Sequence, residues 1–126
     1  MKSYGLLING KSISTAATET VLNPSTGKPV GLAPVASPEQ LDAAVDAPAT
    51  AFDGWRHEPD QQRSAACHAI ADAIERHAEE LAHLLTLEQG KPLNGMGSRY
   101  EIGGAVAWTR YTADLQLPPQ LRQNDA

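Results

Sequence analysis

Few side chains in this 126-residue chain could carry out covalent chemistry, and Cys67 is its only thiol. His68 follows directly, but adjacent helical residues point about 100° apart, so His68 is badly placed to act as a general base for Cys67. Small buried cysteines are common beside the apolar stripe of a helix. We therefore expect Cys67 to pack rather than react, and the sequence predicts no catalytic residue.

The histidines lack the spacing of a helical metal site. Histidine ligands on one helix typically lie four residues apart, as in the His-Glu-x-x-His pattern. The four histidines are separated by eleven, nine and six residues; they are His57, His68, His77 and His83. No transition-metal site is predicted from them.

Gly90-Lys91 suggests a phosphate-binding loop, but the residues around it do not match the motif. The Walker pattern requires another glycine five positions earlier and a hydroxyl residue after the lysine, and Pro92 stands there instead. The dinucleotide pattern G-x-G-x-x-G also fails, because Tyr100 stands where the third glycine should follow Gly95 and Gly97. No cofactor-binding residue is therefore assigned.

Among the carboxylates, Glu88 has the least ordinary position. Glu75 and Glu79 are interleaved with Arg76 and His77, as is typical of an exposed, mixed-charge helix face. Glu88, in contrast, precedes Gly90 near a predicted helix C-terminus, where the helix dipole disfavours negative charge. A bound cation or a neighbouring basic group would explain it.

Composition excludes several classes of function. The formal net charge of −5 argues against nucleic acid, whose binding proteins carry a basic face. No apolar run approaches the roughly 20 residues that span a bilayer, and none has the length of a secretory signal. The single cysteine permits no internal disulfide, so we expect a reducing, cytoplasmic location.

Residues 1–36 have the pattern of two β-hairpins. The first is centred on Asn9-Gly10, a dipeptide that favours a two-residue turn. The second turns at Asn23-Pro24-Ser25-Thr26-Gly27, where proline fixes φ and glycine accepts a left-handed conformation. Isolated hairpins are marginal in water, so both need a partner surface.

Residues 37–117 have the pattern of about four helices, and 118–126 read as a polar tail. The first helix begins at the capping box of Ser37 and Gln40, and Pro48 predicts a kink or interruption in it. The second begins near Pro59-Asp60, the third covers 78–89 with Gly90 as its C-cap, and the fourth restarts at Pro92. The apolar positions expected along them are Leu41, Val45, Phe52 and Trp55 in the first, Ala66, Ile70, Ala73 and Ile74 in the second, Leu81, Leu84, Leu85 and Leu87 in the third, and Leu93, Met96, Tyr100, Val106 and Leu115 in the fourth.

Strands followed by helices predict an α+β fold within a single partial domain, 1–126. The absence of strand–helix alternation excludes a complete parallel-sheet nucleotide fold.

Six strings in fixed order resemble the N-terminal segment of the NAD(P)-dependent aldehyde dehydrogenase family. The resemblance covers 6–118, nearly the whole chain. The strings are Leu6-Leu7-Ile8-Asn9-Gly10-Lys11, Asn23-Pro24-Ser25-Thr26-Gly27-Lys28-Pro29-Val30-Gly31, Phe52-Asp53-Gly54-Trp55, Ile70-Ala71-Asp72-Ala73-Ile74, Leu84-Leu85-Thr86-Leu87-Glu88-Gln89-Gly90-Lys91-Pro92-Leu93 and Arg110-Tyr111-Thr112-Ala113-Asp114-Leu115.

The resemblance implies the N-terminal part of a cofactor-binding domain, and a family reaction in which NAD or NADP oxidises an aldehyde to a carboxylic acid. In that family a cysteine thiolate attacks the carbonyl, hydride passes to the nicotinamide, and a glutamate-activated water hydrolyses the thioester. Those catalytic residues and the nucleotide-binding core lie downstream of the matched segment, and Cys67 matches an apolar helical position. The resemblance therefore implies a truncated dehydrogenase without its own cofactor, inactive alone.

One minor site carries over from the family. Some members bind a structural monovalent cation through backbone carbonyls that match Val21 and Leu22 and a carboxylate that matches Glu88.

Two alternatives remain open at this point. The chain could be a non-enzymatic helical module that associates with itself or with a full-length dehydrogenase, or a neighbouring chain could supply the rest of a split enzyme. A fragment should expose the apolar face that would contact the missing core, whereas an independent module should not.

Overall fold

The computed structural model describes residues 2–116, 118 and 122–123, and it has the α+β architecture expected from the sequence. Five strands precede four helices in the chain. The strands are β1 (Lys2–Ser3), β2 (Leu6–Ile8), β3 (Lys11–Ile13), β4 (Ala17–Leu22) and β5 (Pro29–Val35). The helices are α1 (Pro38–Trp55), α2 (Asp60–Arg76), α3 (Ala78–Gln89) and α4 (Ser98–Ala113).

Both predicted hairpins are present. β2 and β3 pair antiparallel around Asn9 and Gly10, whose φ angles of 50° and 71° are those of a two-residue hairpin turn. β4 and β5 pair antiparallel across the second predicted turn, where Gly27 has a φ of 66°. The sequence did not predict β1, which pairs in parallel with β5 and completes a sheet of order β1-β5-β4.

The capping box of α1 forms as predicted. The Ser37 hydroxyl accepts the Gln40 backbone N–H at 3.3 Å, and the Gln40 side chain accepts the Ser37 N–H at 3.0 Å. α1 continues through Pro48, so the expected interruption is wrong and the alternative, a kink, stays a prediction. The carbonyl of Ala44, which loses its helical partner there, belongs to an exposed residue where water can replace the missing bond.

The fourth helix begins later than predicted. Instead of restarting at Pro92, the chain bends until Gly97, and Gly95 adopts a left-handed φ of 68°. The Ser98 N–H donates to the Pro92 carbonyl at 2.8 Å, which closes this bend. The helix ends at Ala113, so Leu115 lies beyond it, and most of the predicted tail lies outside the described residues.

The core consists of small side chains where helices cross. α4 packs against both α2 and α3. The buried residues of the described chain are Ala71, Ala82, Gly97, Ser98, Val106 and Ala113. Ile70, expected in the core, is 55% exposed because the buried face of α2 centres on its smaller neighbour Ala71. Small side chains allow close helix approach but bury little apolar area, which limits the stabilisation they give.

Candidate functional site

A pocket lies between the sheet and α3, and two of the three predicted cation ligands line it. Its volume is about 390 Å³. Val21 on β4 and Glu88 on α3 both line it, together with apolar side chains that include Leu32, Leu84 and Leu87. The third predicted ligand, Leu22, follows Val21 at the end of β4 and does not line the pocket.

The backbone is irregular at the end of β4, where Val21 and Leu22 carry the carbonyls predicted to bind a cation. The β4–β5 register shifts between Val21 and Leu22, and Leu22 lies opposite Pro29. Proline has no N–H, so Pro29 cannot donate a ladder hydrogen bond to β4. The regular pairing of β4 with β5 ends beside the turn, where the Asn23 N–H donates to the Lys28 carbonyl at 2.9 Å.

Helix α3 ends against the same turn. Gly90 caps it with a left-handed φ of 70°, and a Cβ added at Gly90 would lie 2.8 Å from Pro24 Cγ. This close approach holds the C-terminus of α3, with Glu88, beside the β4–β5 turn. The free carbonyls of a helix C-terminus carry partial negative charge, so the end of the pocket favours a cation.

Two arginines of α4, which the sequence analysis did not single out, pair with the acidic face of α2 and α3. Arg99 Nη2 lies 2.8 Å from Glu79 Oε2, and Arg110 Nη2 lies 2.7 Å from Glu75 Oε2 and 2.9 Å from Asp72 Oδ1. Glu75 and Glu79 are therefore exposed, and each also forms an ion pair with an arginine. Eleven residues separate the arginines, about three helical turns, which is the sequence signal that they share a face.

These contacts shift the ionisation of their members. The hydrogen bond from Arg99 lowers the pKa of Glu79, and the same bond raises the pKa of Arg99. The pKa of Arg110 is raised by its hydrogen bonds to Glu75 and Asp72. Each pair joins a helix to α4, so these exposed ion pairs link the helices at their surface.

The structure places Cys67 and His68 in different surroundings. Cys67 is half-buried and lines a shallow pocket of about 260 Å³ with Ser64 of α2 and Thr112 of α4. His68 Nε2 lies 2.9 Å from Asp114 Oδ1, so this ring nitrogen faces the end of α4. Within the described residues no group of three or more His, Cys, Asp or Glu side chains is placed to hold a metal ion.

Among the described residues, the chain passes from a strand into a helix once, without a glycine-rich turn. Dinucleotide sites use a glycine-rich turn between a parallel strand and a helix. Here β5 leads into α1 through Ala36 and Ser37, and its parallel pairing with β1 involves two residues of each strand. None of the described helices is long and apolar enough to cross a membrane.

Much apolar surface is exposed. The accessible surface is 9686 Å², whereas a compact monomer of 13.4 kDa exposes about 6,500 Å². Large side chains contribute strongly, among them Leu7 at 78% and Trp108 at 70% exposure. The described residues therefore leave many large apolar side chains uncovered.

Comparison with known proteins agrees with this geometry. The profile of the aldehyde dehydrogenase family matches residues 12–123. A probable aldehyde dehydrogenase from a Pseudomonas species is 40% identical over 124 residues, which are 98% of this chain and 25% of that protein.

Solved structures show the same fold. A betaine aldehyde dehydrogenase from Staphylococcus aureus, in complex with NAD+, superposes with a TM-score of 0.80 at 28% identity, covering 87% of this chain and 22% of that one. An NADP-dependent glyceraldehyde-3-phosphate dehydrogenase from Bacillus halodurans, complexed with NADP, gives a TM-score of 0.85 over 90% of this chain and 24% of that one, at 24% identity. The latter likeness is one of fold alone.

The chain spans about a quarter of the length of these relatives. The family profile matches residues 12–123. The order of strands and helices and the two hairpins agree with that match. The chain belongs to the aldehyde dehydrogenase family.

Proposed function

We propose that this chain forms the N-terminal part of the cofactor-binding domain of an aldehyde dehydrogenase. The whole enzyme oxidises an aldehyde to a carboxylic acid with NAD or NADP, in a reducing, cytoplasmic compartment. The observation that carries the proposal is the family match over nearly all of this chain and only a quarter of its relatives. The exposed apolar surface supports it, because such a face requires a partner.

In this proposal the chain has a structural role, and the catalytic residues belong to the rest of the enzyme. The family's nucleophilic cysteine, general-base glutamate and nucleotide-binding core are not assigned to any residue here. Cys67 is half-buried between α2 and α4, and the neighbouring His68 is engaged by Asp114, so neither group is arranged for attack on a carbonyl. The chain alone is expected to be inactive.

Activity is tested with the purified chain, NAD or NADP, and a panel of aldehydes, followed by absorbance of the reduced nicotinamide. The Pseudomonas relative serves as the positive control. We expect no reduction above the rate without protein. Turnover by the chain alone that is lost in Cys67→Ala would overturn the proposal.

A non-enzymatic module that associates with itself is the competing function. It shares the exposed apolar surface but requires no dehydrogenase remainder. Sedimentation of the purified chain separates the two, because a stable homo-oligomer that buries this surface favours the module.

We also propose that Glu88, with the carbonyls of Val21 and Leu22, binds a monovalent cation. The shared pocket of Val21 and Glu88 supports this, as do the irregular end of β4 and the adjacent C-terminus of α3. Potassium or sodium should raise the melting temperature above that in choline chloride of equal ionic strength. Glu88→Gln should abolish the difference, and an unchanged melting temperature in all three salts would remove the site.

A further inference from the structure

Asn94 and Gly95 lie in the bend between α3 and α4, and both residues are exposed. An asparagine loses its side-chain amide when the backbone nitrogen of the next residue attacks the side-chain carbonyl carbon. Glycine has no Cβ, so it gives this nitrogen the freest approach. Gly95 has a left-handed φ of 68°, and its N–H donates no hydrogen bond to another described residue. The attacking nitrogen is therefore accessible.

Arg99 contacts the oxygen of the group that would be attacked. Its Nη1 donates to Asn94 Oδ1, while its Nε and Nη2 donate to the Glu79 carboxylate at 2.9 and 2.8 Å. Glu79 thereby holds the planar guanidinium so that its remaining nitrogen points at the amide oxygen. As the Gly95 nitrogen attacks, negative charge develops on Asn94 Oδ1, where a charged donor stabilises it. Arg99 is placed to assist the reaction.

The same dipeptide occurs at Asn9-Gly10, in a different setting. Asn9 has a φ of 50° and lies in a two-residue turn between Ile8 and Lys11, which pair across the two strands of the first hairpin. The attack requires rotation about the Asn9 Cα–C bond, and that rotation breaks the turn. The hairpin therefore protects Asn9, whereas no strand pairing holds Asn94.

We propose that Asn94 deamidates spontaneously in the folded chain and that Arg99 accelerates the reaction. A bond forms between the Gly95 nitrogen and Asn94 Cγ, and the bond from Cγ to Nδ2 breaks. The proton lost by the Gly95 nitrogen is balanced by the proton that Nδ2 takes up to leave as ammonia. Water then opens the cyclic imide at either carbonyl, which gives aspartate or isoaspartate, and nothing is oxidised or reduced. This inference does not depend on the proposed function.

The products change the bend and its charge. Aspartate at position 94 adds a carboxylate that competes with Glu79 for Arg99. Isoaspartate passes the backbone through the side-chain carbon and so lengthens it. The bend is closed tightly, because the Ser98 N–H donates to the Pro92 carbonyl at 2.8 Å and Gly97 leaves no room for a Cβ beside that carbonyl oxygen. Isoaspartate should therefore open the start of α4.

Peptide mapping of the purified chain, aged in mildly alkaline buffer, measures deamidation at each asparagine by the exchange of NH2 for OH. Asn94 should react about fivefold or more faster than Asn9. Asn23 is the negative control, because the nitrogen of Pro24 carries no hydrogen. In concentrated urea the Asn94 and Asn9 rates should converge, since unfolding removes both the turn and the arginine contact. Equal rates in native buffer, or a faster reaction at Asn9, would overturn the inference.

The role of Arg99 is tested with Arg99→Met, which removes the donor. Arg110→Met is the matched control, because Arg110 also pairs from α4 with a carboxylate but lies away from the bend. Arg99→Met should slow the reaction at Asn94 by about fivefold or more, and Arg110→Met should leave it as in the wild type. Circular dichroism shows whether each variant keeps its fold, and the Asn9 rate reports any loosening within the same molecule. An unchanged Asn94 rate in Arg99→Met would also overturn the inference.

Discussion

Among the described glycines, Gly97 has the least room for a side chain. A Cβ there would lie 1.8 Å from the Pro92 carbonyl oxygen, far inside contact distance, so any larger residue must open the bend that precedes α4. Gly97→Ala should therefore destabilise the chain by about 2 kcal/mol or more. Gly103→Ala is the control, because nothing lies within 4 Å of its added Cβ. That change should stabilise α4 by about 0.5–1 kcal/mol.

Thermal unfolding of both variants measures the difference. A Gly97→Ala chain as stable as Gly103→Ala would contradict the close approach to Pro92. The sequence indicated that these glycines punctuate the helices, but not that one of them touches a carbonyl five residues back, since such a contact depends on the path of the bend.

The ion pair between Glu79 and Arg99 should make stability depend on pH. Arg99 lowers the pKa of Glu79 below its ordinary value of 4.5. A carboxylate whose pKa is depressed by folding stabilises the folded state above its unfolded pKa, and this contribution is lost as the pH falls through the folded pKa. Glu79→Gln should consequently lower the melting temperature above about pH 5 and have less effect at more acidic pH.

Melting temperatures across the acidic range provide the check, with Glu80→Gln as a neighbouring carboxylate control. A deficit in Glu79→Gln that grows as the pH falls would show that the sign is wrong. The sequence placed Glu79 on a charged face correctly. Its partner could not be identified, because Arg99 is 20 residues away and reaches Glu79 only when α4 crosses α3.

At the scale of elements, local sequence signals predicted turns and capped helix ends better than they predicted whether a helix continues through or begins at a proline. The capping box at Ser37, the Asn9-Gly10 turn and the Gly90 C-cap all formed where expected. Each depends on backbone conformations within a few residues. The interruption at Pro48 and the helix start at Pro92 were wrong, because proline restricts its neighbours without determining whether the surroundings tolerate a lost hydrogen bond.

The cap of α1 should be important because little tertiary packing supports this helix. Ser37→Ala removes the hydroxyl that accepts the Gln40 N–H and should cost about 1 kcal/mol of helix stability. The effect should appear as faster amide exchange in the first turn of α1. Thr50→Ala, in the same helix, should leave first-turn exchange unchanged. Equal protection in wild type and Ser37→Ala would mean that contacts elsewhere hold the helix.

For the whole molecule, the fold class and family could be predicted from the sequence, whereas the distribution of burial could not. The apolar stripe of α1 was recognised, but its exposure was not, because periodicity shows which residues share a face and not what covers that face. The cation site stays a prediction. Its residues were named from a resemblance, and the structure places Val21 and Glu88 around one pocket.

The central claim is that this chain is an incomplete part of a dehydrogenase domain, and urea unfolding of the purified chain tests it most directly. Far-UV circular dichroism is the suitable probe, because Trp55 and Trp108 are already substantially exposed. The slope of unfolding free energy against urea scales with the surface exposed on unfolding. We expect a broad transition with a slope below about 1 kcal/mol/M. A single steep transition with a slope of about 1–3 kcal/mol/M would show a self-sufficient domain and contradict the claim.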